Sequence, residues 1–286
     1  MTWSLPHQLL SPVGRWAELD AFGATGPCVL RDEHGGHRLW YTGDDGSTQR
    51  ILSARSTPDG NWERLGIALD AGAAGETDAF GVEAPCVVVT PAGFLMAYAG
   101  SDGPDTRLHM ATSRDGETWT AHGPFMQRGE PDAIGATHPC LVIVDRWWLF
   151  YAGYDGSENG RHSDILAAVS GNGASWDRLG TLLQPEPGEM AVREPWVVHT
   201  HGSFLMFYVS DDCRREVIAF ASSFDGLTWT RRGIAIAWPG DGRGMRSPCA
   251  HRSSDGRWGL WFAAPGSSSP AAPYRLWMVL SDGRIF

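Results

Sequence analysis

Five dipeptides hold the residues of this chain best suited to chemistry. They are Thr25-Gly26, Glu83-Ala84, Thr137-His138, Arg193-Glu194 and Arg246-Ser247, and each immediately precedes a proline. The flanking residues keep a repeated pattern while these positions diverge. Structure explains sameness; divergence at equivalent places around one axis marks a site. Together the dipeptides bring two carboxylates, one imidazole and two guanidiniums to one place. That set suits acid–base chemistry with one carboxyl group protonated and the other ionised. A carboxyl group near other carboxylates holds its proton, and one beside arginine loses it. Glu83, with Asp78 five residues upstream, fits the acid. Glu194, beside Arg193, fits an ionised base or hydroxyl acceptor. The expected catalytic residues are therefore Glu83, Glu194 and Asp78. The expected substrate contacts are Asp20, Asp132, His138, Arg193 and Arg246. No metal site or cofactor is expected.

A bland reading stands beside several of these. Asp20, Asp78 and Asp132 recur in D-A-[FI]-G, seven residues before a proline, so turn capping competes with chemistry. Asp45, Asp102, Asp155 and Asp212 also repeat and read as solvated turn residues. His138 is either a hydrogen-bonded loop histidine or a residue facing the axis.

The elements that position these residues follow from a repeat. Pro27, Pro85, Pro139, Pro195 and Pro248 are spaced 58, 54, 56 and 53 residues apart. Trp62, Trp119, Trp176 and Trp229 keep step at 57, 57 and 53. Each unit reads as four short strands: an apolar run after the proline, an aromatic strand such as WWLFYAG, a third strand such as DILAAVS, and an outer segment after the tryptophan. Four strands linked by Gly/Asp turns make one propeller blade. The last unit stops at 281–286 before its outer strand, and residues 2–12 supply that piece. The expected fold is all-β: a single domain over 1–286, a five-bladed β-propeller of four-stranded antiparallel blades. The N-terminal strand joins the last blade and closes the ring, which removes an open edge.

The turn S-x-D-G-x-T-W, at Ser113–Trp119 and Ser223–Trp229, resembles the Asp-box of sialidase-type propellers, one residue shorter. It reads as structural, with Asp capping the turn and Trp packing between blades. Cys28, Cys86, Cys140 and Cys249 share one repeat position and read as small buried residues. All five cysteines are expected free and buried.

Composition narrows the function. The net charge is -10, and all 23 basic residues are arginine. The absence of lysine excludes a Walker-type phosphate loop and a lysine Schiff base. It also points to a GC-rich bacterial genome. An acidic chain with scattered arginines is a poor nucleic-acid partner. No apolar run reaches transmembrane length, so no membrane partner is expected. The start shows no basic region followed by an apolar stretch, so a cytoplasmic protein is expected. The oligomeric state is left open.

These features resemble the five-bladed glycoside-hydrolase superfamily of arabinanases, β-xylosidases, invertases, levansucrases and mannoside phosphorylases. Glu83-Ala84-Pro85 is similar to the E-[GA]-P that carries the acid glutamate of the arabinanase and xylosidase group. Arg193-Glu194-Pro195 is similar to the R-D-P of invertases. Two features depart: Gly26 stands where those families place a first-blade Asp, and E-A-P falls in the second blade. The resemblance implies a glycoside hydrolase acting on a small or oligomeric sugar in the funnel. In some relatives the axis holds a structural calcium or a water cluster, which is where His138 would sit if it faces the axis instead of bonding within its loop. A phosphorylase is an alternative, with Arg193, Arg246 and His138 binding phosphate. So are a non-hydrolytic enzyme of natural-product biosynthesis, performing cyclisation or elimination, and a non-catalytic carbohydrate-binding propeller.

Overall fold

Aromatic and β-branched runs separated by Gly/Asp turns favour strands, and strands are what the chain forms. The computed structural model describes residues 2–10, 18–32, 35–127, 129–154, 163–238, 244–253, 255–267 and 272–283. The described residues form twenty strands and no helix. Asp155, Ile285 and Phe286, and residues 11–12 of the expected closing strand, lie outside them.

After a short β1 (His7–Gln8), the chain runs through antiparallel sets. The first is β2 (Gly23–Arg31), β3 (His37–Asp44), β4 (Gln49–Ser56) and β5 (Trp62–Leu69). The second is β6 (Gly81–Thr90), β7 (Gly93–Ser101), β8 (Thr106–Ser113) and β9 (Thr120–Pro124). The third is β10 (Gly135–Ile143), β11 (Trp147–Tyr154), β12 (Asp164–Ser170) and β13 (Asp177–Leu183). The fourth is β14 (Ala191–Thr200), β15 (Ser203–Asp211), β16 (Glu216–Ser223) and β17 (Thr230–Ile236). Then come β18 (Arg246–Arg252), β19 (Trp258–Pro265) and β20 (Tyr274–Leu280), with β1 paired to β20. Single parallel bridges, Gln49 to Gly81 and Thr106 to Gly135, join the first three sets into one twelve-stranded sheet.

The first strands of the sets touch in a cycle: β2 with β6, β6 with β10, β10 with β14, β14 with β18, and β18 with β2. Cysteine gives that cycle a physical link. Cys28 Sγ accepts the Val87 N–H at 3.1 Å, Cys86 Sγ that of Leu141 at 3.2 Å, and Cys140 Sγ that of Val197 at 3.1 Å. Cys249 Sγ accepts the Val29 N–H at 3.4 Å. Where the fourth set has tryptophan, Trp196 Nε1 donates to Ala250 O at 3.0 Å. These four cysteines are free and buried. Cys213 departs from the expectation: it is free but exposed, because it sits on the loop after β15 rather than in a first strand.

Between neighbouring sets lie large side chains. Trp40 meets Trp119 edge-on at 6.1 Å, and Phe150 meets Trp229 at 5.9 Å. Asp115 Oδ1 caps its turn by accepting the N–H groups of Glu117 and Thr118 at 2.8 and 2.9 Å. The Asp-box-like turn is thus structural, as its sequence suggests.

Candidate active site

Each first strand breaks its register at the dipeptide before its proline, as between Glu83 and Cys86 or Arg193 and Trp196. Proline offers no N–H to the ladder, so a bulge there removes the conflict. The residue before it turns left-handed in every set: Gly26, Ala84, His138, Glu194 and Ser247 have φ of 50–57°. These five and their prolines line one narrow hole. Beside it opens a cleft of about 590 Å³.

Glu83, His138, Arg193, Glu194 and Arg246 all line this cleft. Asp20, Asp78 and Asp132 do not; their buried carboxylates brace the sets from within. Asp20 Oδ2 accepts from Tyr41 Oη and Arg64 Nη2, both at 2.9 Å. Asp78 Oδ2 accepts from Tyr98 Oη at 3.0 Å, and Asp132 Oδ2 from Arg178 Nη2 at 3.1 Å. Glu189 and Arg231 repeat the pairing in the fourth set at 2.7 Å. Asp45, Asp102 and Asp212 cap their turns by accepting N–H groups two or three residues on.

Inside the cleft the two glutamates live differently. Glu194 is buried, and Oε2 accepts the Ser247 N–H at 2.6 Å and the Ser247 hydroxyl at 3.0 Å. His138 Nε2 lies 3.7 Å from Oε2, and Arg193 Nε 3.4 Å from Oε1. Burial pushes the Glu194 pKa up, but His138, Arg193, Arg246 and the Ser247 N–H outweigh it and hold it at about 2. Glu83 is half-buried, and its Oε1 accepts the Thr137 hydroxyl at 3.0 Å. Among the described residues Glu83 forms no ion pair.

A third carboxylate, Glu216, organises the arginines. Arg246 grips it with two N–H groups, Nε to Oε2 at 2.8 Å and Nη2 to Oε1 at 2.7 Å. Arg193 Nη2 also donates to Glu216 Oε1, and its Nη1 donates to Asp211 Oδ2 at 3.0 Å. Tyr274 donates to Glu216 Oε2 at 3.3 Å. Burial raises the Tyr274 hydroxyl to about 12, with Glu216 adding to it against Arg246.

The sequence reading did not single out Glu216, Asp211, Tyr154 or Tyr274, yet the signal existed. Asp44 faces Gln49, Ser101 faces Thr106, Asp211 faces Glu216, and Pro265 faces Tyr274, all where a second strand hands over to a third. These positions diverge from set to set just as the dipeptides do.

No family model matches this chain. An uncharacterized protein of Mycobacterium tuberculosis (strain CDC 1551 / Oshkosh), MT1551, is 27% identical over 169 residues. The match covers 54% of each, so the chain spans about half the length of that relative. Solved structures match far more of it. A glycoside hydrolase superposes with a TM-score of 0.74 at 15% identity, over 97% of this chain and 91% of its own. The endo-arabinase of Bacteroides thetaiotaomicron gives 0.69 at 14%, over 98% and 100%. A structure from the GH130 family of mannoside phosphorylases, which contains glycoside hydrolases that target β-1,2 mannosidic linkages in Candida mannan, gives 0.67 at 17%, over 92% and 85%. The chain shares its all-β fold with these solved structures.

Proposed function

We propose that this chain is a single five-bladed β-propeller domain and a carbohydrate-active enzyme, a glycoside hydrolase acting on a small or oligomeric sugar. The contact cycle of first strands and the cysteine links support the ring. Pairing of β1 with β20 supports closure by the N-terminus.

One observation carries the chemistry: two carboxylates share a cleft in opposite surroundings. Glu194 is held ionised by cations, whereas Glu83 meets a hydroxyl. The cation-held Glu194 takes the ionised role, which leaves Glu83 as the proton donor. Glu83 gives its proton to the glycosidic oxygen as the bond to the anomeric carbon breaks. Glu194 takes a proton from the attacking water, or holds a sugar hydroxyl if the water is activated elsewhere. Arg193 and Arg246 already spend N–H groups on Glu216, Asp211 and Glu194, which counts against their holding phosphate for phosphorolysis.

Gly26 favours a second reading, non-hydrolytic chemistry in the same cleft. A Cβ there would meet Thr42 Oγ1 at 3.0 Å and the Ala84 Cα at 3.1 Å, so an Asp at this place fits only if those neighbours shift by a few tenths of an ångström.

The test assays wild type, Glu83→Gln and Glu194→Gln on aryl glycosides and oligosaccharides, with and without phosphate. Glu83→Gln should lower turnover about 10²–10⁴-fold, the usual worth of proton donation, with an unchanged melting temperature. Wild type that cleaves no glycoside in either condition rules out the hydrolase and brings the second reading forward.

A further inference from the structure

The cleft holds two kinds of arginine. Arg193 and Arg246 are tied to carboxylates. Arg214 and Arg215 line the same cleft but are exposed, at the tip of the loop joining β15 to β16. Among the described residues neither guanidinium has a hydrogen-bond or ion-pair partner.

The backbone beneath them is fixed. Asp212 Oδ1 accepts the N–H groups of Arg214 and Arg215 at 2.9 and 2.8 Å. Asp211 Oδ1 accepts the Cys213 N–H at 2.8 Å, while its other oxygen binds Arg193. One carboxylate thus fastens the loop to the buried arginine clamp. The loop backbone is thus set on the rim, and the two guanidiniums extend from it with their donors free.

Guanidinium groups are built to bind planar carboxylates and phosphates through paired donors. The rest of the molecule opposes an anion, since its net charge is -10 and ionised Glu194 lies on the cleft floor. An acidic group is therefore welcome only at the rim, which leaves the neutral part of a ligand toward Glu83 and Glu194. We propose that the substrate is an acidic sugar, bearing a carboxylate or a phosphate monoester, and that Arg214 and Arg215 hold that group. This rests on the carbohydrate reading above.

The test is calorimetric binding of D-glucuronate, D-glucose 6-phosphate and D-glucose to wild type and to the Arg214→Gln/Arg215→Gln double variant. Wild type should bind one of the two acids about tenfold tighter than glucose, in line with charge-assisted hydrogen bonds. The acid preferred identifies the group. The preference should shrink as salt is raised and nearly vanish in the variant. Equal binding of glucose and both acids by wild type overturns the proposal and leaves the carbohydrate reading intact. So does an acid preference that survives in the variant. If no sugar binds but glycosides are cleaved, the acidic site alone falls. If there is neither binding nor cleavage, both readings fall.

Discussion

At Glu194 burial and charge oppose each other, and charge prevails. The carboxyl group ordinarily titrates at 4.5, and in the fold it is held at about 2. A folded pKa below the unfolded one stabilises the fold above the unfolded value, and the gain is lost as pH falls through the folded value. The gap corresponds to about 3 kcal/mol. Other carboxylates are lowered as well, so both proteins lose stability between pH 5 and roughly pH 2, and urea unfolding should show a steeper decline in wild type than in Glu194→Gln. Parallel declines would mean that the ionised carboxylate adds nothing to stability. This residue was legible in sequence because it breaks the repeat beside a proline, next to an arginine. Glu216 carries the same divergence where a second strand hands over to a third, but its pairing with Arg193 and Arg246, 23 and 30 residues away, is not legible locally.

The element that carries the site is the bulge before each proline. A residue preceding proline ordinarily prefers the extended region, so the left-handed turn at Ala84, His138, Glu194 and Ser247 could not be read locally. Tertiary contacts impose it. At Ala84 the contact is plain: its N–H donates to Thr42 Oγ1 at 2.8 Å, across from the first set to the second, and Thr42 is buried. The repeat, by contrast, made the strands themselves legible, because turns and tryptophans recur with them. Thr42→Val keeps the shape and removes the acceptor, which leaves a buried N–H unpaired at a cost of about 1–3 kcal/mol. Thr42→Ser should restore most of it. Urea unfolding of the two variants measures the difference; equal loss in both would assign the cost to packing instead of the hydrogen bond.

At the scale of the whole molecule, the buried thiols report on the proposed ring. Burial pushes the Cys28, Cys140 and Cys249 thiols up, so they react only when their first strands separate. Cys213 is exposed and needs no opening. A disulfide reagent should label one thiol at once, four slowly, and all five after denaturation. The N-terminal segment should govern the slow phase. Ser4 N donates to Leu280 O at 2.8 Å and Leu9 N to Leu276 O at 3.0 Å, and Trp3 Nε1 reaches Ala235 O at 2.8 Å. Leu9 and Leu10 are buried, which alone is worth roughly 3–6 kcal/mol. Domains hold only about 5–15 kcal/mol in total, so deleting residues 1–10 removes a large share and bares the edge of β20. The deletion should lower the melting point and speed labelling of all four buried thiols together, because their links run around the axis from set to set. Faster labelling of Cys249 alone, with the other three unchanged, would show that the last set opens by itself and that the ring does not unfold as one body.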